Sequence, residues 1–189
     1  MKRIVFLLIV FSSHIFTQNL LNNPHFDTDT LDIDWPDGNG TGRSWVSDDG
    51  ALADGCMEVP TTNNNGGTLI LAYSENIPVV PGEKYYYEVL TKVLSSSQAS
   101  GSRIWIKWLD TNQSYVGFQN SIPSNGVFDS WEPILGIFTV PADMYFAKIY
   151  VGVSTTSTGS PDPSIARFDD ILFEADLIFT NSFEEIVVP

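Results

Sequence analysis

The sequence predicts an all-β domain, a β-sandwich jelly roll, and three observations carry that expectation. Six segments, 68–72, 85–93, 103–109, 134–140, 148–153 and 167–174, are rich in Ile, Val, Tyr, Phe or Trp and bounded by Gly, Pro, Asn or Ser clusters. No run of three or four turns carries apolar residues at the i, i+3, i+4 spacing of an amphipathic helix. Short acidic segments around Phe26-Asp27 and Phe168-Asp169-Asp170 lie near opposite ends of the domain. A sandwich that staples its first and last strands together, often around a cation, produces that arrangement.

Residues 1–18 begin with Lys2 and Arg3, continue in an apolar run over 4–11 and end in small and polar residues, the layout of a secretory signal peptide. The apolar run is too short to span a bilayer. The expectation is therefore a secreted protein, extracellular or periplasmic, with no membrane insertion after cleavage. The domain then occupies 19–175. Pro81-Gly82, the 123–126 segment, Pro141-Ala142-Asp143 and the 159–163 segment mark turns, and the polar stretches 61–67 and 95–102 read as loops at the tips of the sandwich. Residues 176–189, with Leu177-Ile178-Phe179 and Ile186-Val187-Val188, read as a C-terminal extension or an added edge strand.

Composition narrows the function classes. The chain carries a formal charge of −14, and loss of the leader would remove two of its nine basic residues and none of its 23 acidic ones. Nucleic acid and anionic membranes need cationic surface and are poor partners for such a chain. The single cysteine, Cys56, allows no intramolecular disulfide and reads as a buried apolar residue.

Strand alternation assigns faces. Ile149, Val151 and Val153 share one side of their segment, as do Ile104, Ile106 and Trp108 of theirs. Placing these sets inside leaves Arg103, Trp105, Lys107, Lys148 and Tyr150 exposed on sheet surface, a mixture of flat rings and hydrogen-bond donors. Trp35, Trp45, Trp108 and Trp131 read as core, since large aromatics serve burial first.

Asn19-Leu20-Leu21, Asn23-Pro24, Phe26-Asp27, Trp35, Pro81-Gly82 before Tyr85, Trp131, Phe138 with Val140-Pro141, and Phe168-Asp169-Asp170-Ile171 follow one another in an order that resembles carbohydrate-binding modules of the CenC-like type, families 4, 9 and 22. The resemblance covers essentially all of 19–175. It implies a galactose-binding-domain-like jelly roll that holds polysaccharide or oligosaccharide across one sheet, with a structural calcium ion near the chain ends. The implied metal ligands are Asp27 and Asp170, with Asp169 as the alternative to Asp170. The implied sugar contacts are Trp105 and Tyr150, with Arg103 and Lys107 beside Trp105. Rings stack on the flat C–H faces of sugars while donors and acceptors meet the hydroxyls. The family more often has Glu where this chain has Asp27. Calcium takes six to eight oxygens, so two carboxylates would need backbone carbonyls and water to complete the shell.

Catalytic patterns are sparse. His25 is the one histidine beyond the leader, and no nucleophile elbow, HExxH or phosphate-cradling glycine loop accompanies it. The acidic run Asp27, Asp29, Asp32, Asp34, Asp37 lacks the glycine and closing glutamate of an EF-hand, and Asp29, Asp32 and Asp34 read as a solvated surface loop. Glu58, Glu75, Glu88, Glu132 and Asp169/Asp170 are available as a glycosidase pair, but nothing in the spacing selects two. The leading reading is a secreted, noncatalytic carbohydrate-binding module, standing alone or working beside a partner enzyme. The alternatives are an extracellular adhesion or surface-structural domain binding protein partners and, behind it, a small glycan hydrolase or lyase.

Overall fold

In the computed structural model of the chain, residues 18–37, 42–61, 65–68, 72–96, 99–158 and 164–175 are described. They form one helical turn, α1 (Leu31–Asp34), and eleven strands: β1 (Ser44–Val46), β2 (Cys56–Thr61), β3 (Asn65–Thr68), β4 (Ala72–Tyr73), β5 (Ile77–Pro78), β6 (Lys84–Val93), β7 (Ala99–Leu109), β8 (Tyr115–Asn120), β9 (Glu132–Thr139), β10 (Phe146–Thr158) and β11 (Ser164–Ala175). The strands make two antiparallel sheets. One runs β1-β2-β11-β6-β9. The other runs β3-β10-β7-β8, with β4 and β5 continuing the β3 side along β10. This is the expected β-sandwich jelly roll. Residues 1–17 of the leader and the 176–189 tail lie outside the described residues, as does the turn expected at 159–163.

The long strands follow the alternation of their sequences. In β6, Tyr85, Tyr87, Val89 and Val93 point inward, while β10 contributes Ala147, Ile149, Val151 and Val153 and β7 contributes Ile104, Ile106 and Trp108. Cys56 is buried on the opposite face of β2 from the core residues Met57 and Val59, and burial pushes its thiol up to about 12, so it behaves as a small apolar residue. Trp35 and Trp108 are core, as expected. Trp45 packs against the core with its Nε1 donating to Phe26 O at 2.6 Å, whereas Trp131 is half-buried beneath Lys92, 4.9 Å from its ring.

Some elements depart from the sequence expectation. The stretches read as tip loops at 61–67 and 95–102 contain strand: β2 extends to Thr61, β3 starts at Asn65 and β7 starts at Ala99. Since β2 and β3 belong to different sheets, the chain changes layer between them. The N-terminal segment is stapled to the last strand without being a strand itself. Leu20 N donates to Phe173 O, Asn19 Nδ2 to Ile171 O, and Ile171 N to Pro24 O, all at 2.8–2.9 Å. The acidic run is structural on one side: Thr30 Oγ1 bonds Asp34 across α1, and Asp32 accepts from Arg43 at 2.8 Å.

On the outside of the five-stranded sheet, Glu58, Arg167 and Lys92 lie in one row, and Asp49 reaches over from its loop to bridge the two cations. Arg167 also binds Glu58, with Nε at 2.9 Å. Burial pushes the Asp49 carboxyl up, but hydrogen bonds and charge from Lys92 and Arg167 outweigh it and hold the group below its ordinary value. A depressed carboxyl stabilises the fold above its unfolded pKa and loses that contribution as pH falls through the folded value. Asp49→Asn should therefore lower the thermal midpoint at neutral pH by the equivalent of about 1 kcal/mol, with the difference from the parent closing below about pH 4. Thermal melts of both proteins across pH 3–7 check this.

Gly136 shows a second constraint. It faces Tyr87 across the β6/β9 pair, and an added Cβ would lie 2.5 Å from the Tyr87 hydroxyl and 2.8–2.9 Å from its ring. That ring also stacks on Phe138, with centroids 4.3 Å apart, and so has no free direction to move. Gly136→Ala should destabilise by roughly 1–3 kcal/mol, the usual range for overpacking, measured as a lower urea midpoint with an unchanged m-value.

Candidate functional site

The site candidate is the outer face of the six-stranded sheet, and the register of β7 with β10 builds it. Tyr150 pairs with Trp105, Lys148 with Lys107 and Gly152 with Arg103. On the flanks, Tyr73 of β4 pairs with Tyr150, while Asn120 and Phe118 of β8 pair with Trp105 and Lys107. Paired residues share a face, so one row reads Tyr73, Tyr150, Trp105, Asn120 and the next Lys148, Lys107, Phe118. The residues predicted for this face, Trp105, Tyr150, Arg103 and Lys107, are brought together.

Their accessibility differs from the expectation. Trp105 is 5% exposed and Tyr150 9%, so neither is the open platform that alternation alone suggested. The long side chains around them account for much of this. Lys107 Nζ sits 4.2 Å from the centre of the Tyr150 ring, and Lys148 Nζ sits 4.6 Å from that of Tyr73, which in turn packs on Tyr150 at 5.1 Å. Arg103 and Lys107 stand two residues to either side of Trp105 on the same face. The open aromatic surface lies at the β8 edge, where Tyr115 is 57% and Phe118 58% exposed. Lys107 Nζ is also 5.7 Å from the Tyr115 ring centre.

Electrostatically the face is cationic. Among the described residues, neither Arg103, Lys107 nor Lys148 forms a salt bridge, whereas Arg43, Lys92 and Arg167 each do. The Arg103 Nε is buried without a hydrogen-bond partner. Burial pushes the Lys148 ammonium below its usual value, and the charge of Lys107 pushes it further down. Burial also raises the Tyr150 phenol.

An apolar cleft of about 370 Å³ opens beside β8, lined by Trp108, Val116, Phe118, Pro141 and Met144 among others. Trp108 belongs to the inner face and Phe118 to the outer row, so the cleft lies at the β8 edge where the two faces meet.

The chain ends form the candidate cation site. The bulge between Asp169 and Leu172 turns both aspartates at the sheet surface, with Asp170 at φ 46°. Asp169 is 1% exposed and accepts from Ala51 N at 2.7 Å and Asp170 N at 2.8 Å. Burial pushes it up to about 6 despite those bonds. Asp170 Oδ1 contacts His25 Nδ1, while its Oδ2 is buried with no partner. Asp27 follows the buried Phe26 on the adjoining segment, and its own side chain is exposed. Among the described residues no three His, Cys, Asp or Glu side chains converge as a cage. An orphaned, buried carboxylate oxygen fits a hard cation, whose other oxygens would come from backbone and water.

The carboxylates considered for catalysis are mostly engaged elsewhere. Glu58 holds Arg167, Glu88 accepts from Tyr86 Oη at 2.7 Å, and Glu132 accepts from Asn125, Gly126 and Val127 N at 3.0–3.3 Å.

Sequence reasoning missed Tyr73, Phe118 and Tyr115 as parts of the face. Tyr73 falls one residue beyond the segment read as its strand. The other two lie on β8, whose residues are nearly all exposed and which therefore lacks the alternation that reveals a strand.

No protein-family model matches the sequence, and no curated protein matches it either. Solved structures do. The CBM22-1 xylan-binding domain of Paenibacillus barcinonensis Xyn10C superposes with a TM-score of 0.63 at 11% identity, covering 84% of this chain and 95% of that one. The C-terminal family 22 carbohydrate-binding module of Clostridium thermocellum Xyn10B gives 0.59 at 11% identity, covering 83% and 95%. The CBM22-1–GH10 modules of Clostridium thermocellum Xyn10B, solved with xylohexaose, give 0.59 at 17% identity and 84% coverage, with this chain spanning 28% of that protein. The similarity shows that the chain has the fold of these modules.

Proposed function

We propose that this chain is a secreted, noncatalytic carbohydrate-binding module that holds a polysaccharide against the outer face of its six-stranded sheet. The observation that carries the reading is the row Tyr73, Tyr150, Trp105, Asn120 with Arg103 and Lys107 around it, an apolar floor edged by donors that are not spent on carboxylates. The fold shared with xylan-binding domains supports it. Sugar rings would lie on the aromatic row, and the lysine that covers Tyr150 would swing aside to meet hydroxyls. Phe118 offers a ring already open at the groove edge.

One observation favours a second reading, an adhesion or surface-structural domain. Val116, Phe118 and Ile122 leave the β8 edge apolar and exposed beside the cleft, and such an edge suits a protein partner.

Trp105→Ala, shown to be folded by circular dichroism, should abolish retardation of the protein in native gels containing a polysaccharide that retards the parent. Phe118→Ala removes an exposed ring without opening the core and should weaken retardation. Retardation of both variants equal to that of the parent would remove the site from this face.

We further propose that calcium binds between the chain ends, held by Asp170 and Asp27 with Asp169 nearby, and supplies stability and no chemistry. Chelation by EDTA should lower the thermal midpoint by roughly 5–10 °C, with recovery on added calcium. Asp170→Ala should remove that calcium dependence. An identical midpoint with and without EDTA would exclude the ion.

A further inference from the structure

We infer that the glycan held on this face is an acidic one, a sugar chain bearing carboxylate or sulfate groups that Arg103, Lys107 and Lys148 meet directly. The inference rests on the carbohydrate-binding reading and adds the class of ligand.

Three observations converge. The chain is strongly acidic at −14, and only seven Lys and Arg follow residue 18, yet three of them stand on this one face. In a protein with carboxylates in excess, a cation finds a partner easily, as Arg43, Lys92 and Arg167 do. The three on this face make no salt bridge among the described residues. No carboxylate stands in the rows that cross β7 and β10 at these positions: the neighbours are tyrosine, tryptophan, asparagine, phenylalanine and glycine.

The placement also costs stability. Lys107 and Lys148 are directly opposed across the β7/β10 ladder, where like charges are destabilising. Lys148 is partly desolvated beside Lys107, which pushes its ammonium down. The buried Arg103 Nε has no acceptor, and an unmet buried donor is expensive. The rings beneath the lysines offset part of this through cation–π contact but cannot accept a charge-assisted hydrogen bond. An anion between Lys107 and Lys148 relieves the repulsion, and a further anionic group along the glycan would meet the Arg103 guanidinium two rows away along β7. A neutral sugar would leave the like-charge pair in place.

The net charge of the protein does not defeat this. At physiological ionic strength the Debye length is about 8 Å, so the distant carboxylates are largely screened while contacts at hydrogen-bond range are not.

The test uses the full chain without its leader and matched glycans that differ only in charge. They are glucuronoxylan and its carboxyl-reduced product, polygalacturonate and its methyl ester, and dextran sulfate and dextran, each titrated by calorimetry and native-gel retardation. We expect binding of a charged member about ten-fold or more tighter than its neutral partner, weakening as salt rises from about 0.1 to about 0.5 M. The carboxylate and sulfate pairs tell which anion is read. The double substitution Lys107→Met and Lys148→Met should erase the preference between the charged and neutral members of each pair. The charge-matched comparison on the unaltered protein stands even if that variant fails to fold. Equal affinity for charged and neutral members, still abolished by Trp105→Ala, would overturn the inference and leave the carbohydrate-binding reading intact. No binding of any glycan, charged or neutral, would overturn both.

Discussion

The antiparallel ladder between β7 and β10, running from Phe146 opposite Leu109 to Thr155 opposite Ala99, is the constraint on which the rest depends. It is the centre of the six-stranded sheet, and its register decides which side chains meet the core and which meet solvent. Side chains alternate with a period of two, so a slip of one residue would send Ile104 and Ile106 outward and bring Arg103, Trp105 and Lys107 into the interior. The burial of Ile104, Ile106, Ile149, Val151 and Val153 therefore fixes the core and, with the same register, assembles the outer face. Function on that face, whatever its ligand, is a consequence of how the inside packs.

The two outer faces use charge in opposite ways. On the five-stranded sheet, Asp49 and Glu58 neutralise Arg167 and Lys92 in a closed network. On the six-stranded sheet, Lys107 and Lys148 lie over aromatic rings and form no salt bridge among the described residues. The first arrangement stabilises a fold. The second leaves hydrogen-bonding capacity and positive charge unspent, and a stable protein holds such capacity where something external consumes it. This asymmetry distinguishes the two outer faces more sharply than exposure does, since Trp105 and Tyr150 are themselves covered.

Much of the fold was legible because long strands with one buried face must alternate. The alternation of 103–109 and 148–153 placed Ile104 and Ile149 correctly, and with them Trp105, Tyr150, Arg103 and Lys107 on the opposite side. Shorter elements were not legible. β2 contains Pro60 within its pairing to β11, and β8 is an exposed edge with Gly117 at its middle, so neither shows a clean period. The covering of Trp105 and Tyr150 was beyond a reading of one strand at a time, because the side chains that crowd them come from the neighbouring strands as well as from β7. The stapling of 19–26 to β11 was visible as two acidic ends. The bulge that turns Asp170 to φ 46° was not, because its cause is a mismatch in register with β6.

The central claim is that a glycan contacts the outer face of the six-stranded sheet, and indole NMR reports on it most directly. The five tryptophans Trp35, Trp45, Trp105, Trp108 and Trp131 supply one Nε1–H signal each. Titrating the ¹⁵N-labelled protein with an oligosaccharide of the polysaccharide that retards it should move the Trp105 signal progressively while Trp35 and Trp45, at the chain-end side of the core, stay fixed. A titration that shifts Trp131 or Trp45 and leaves Trp105 unmoved would place the ligand elsewhere and contradict the account.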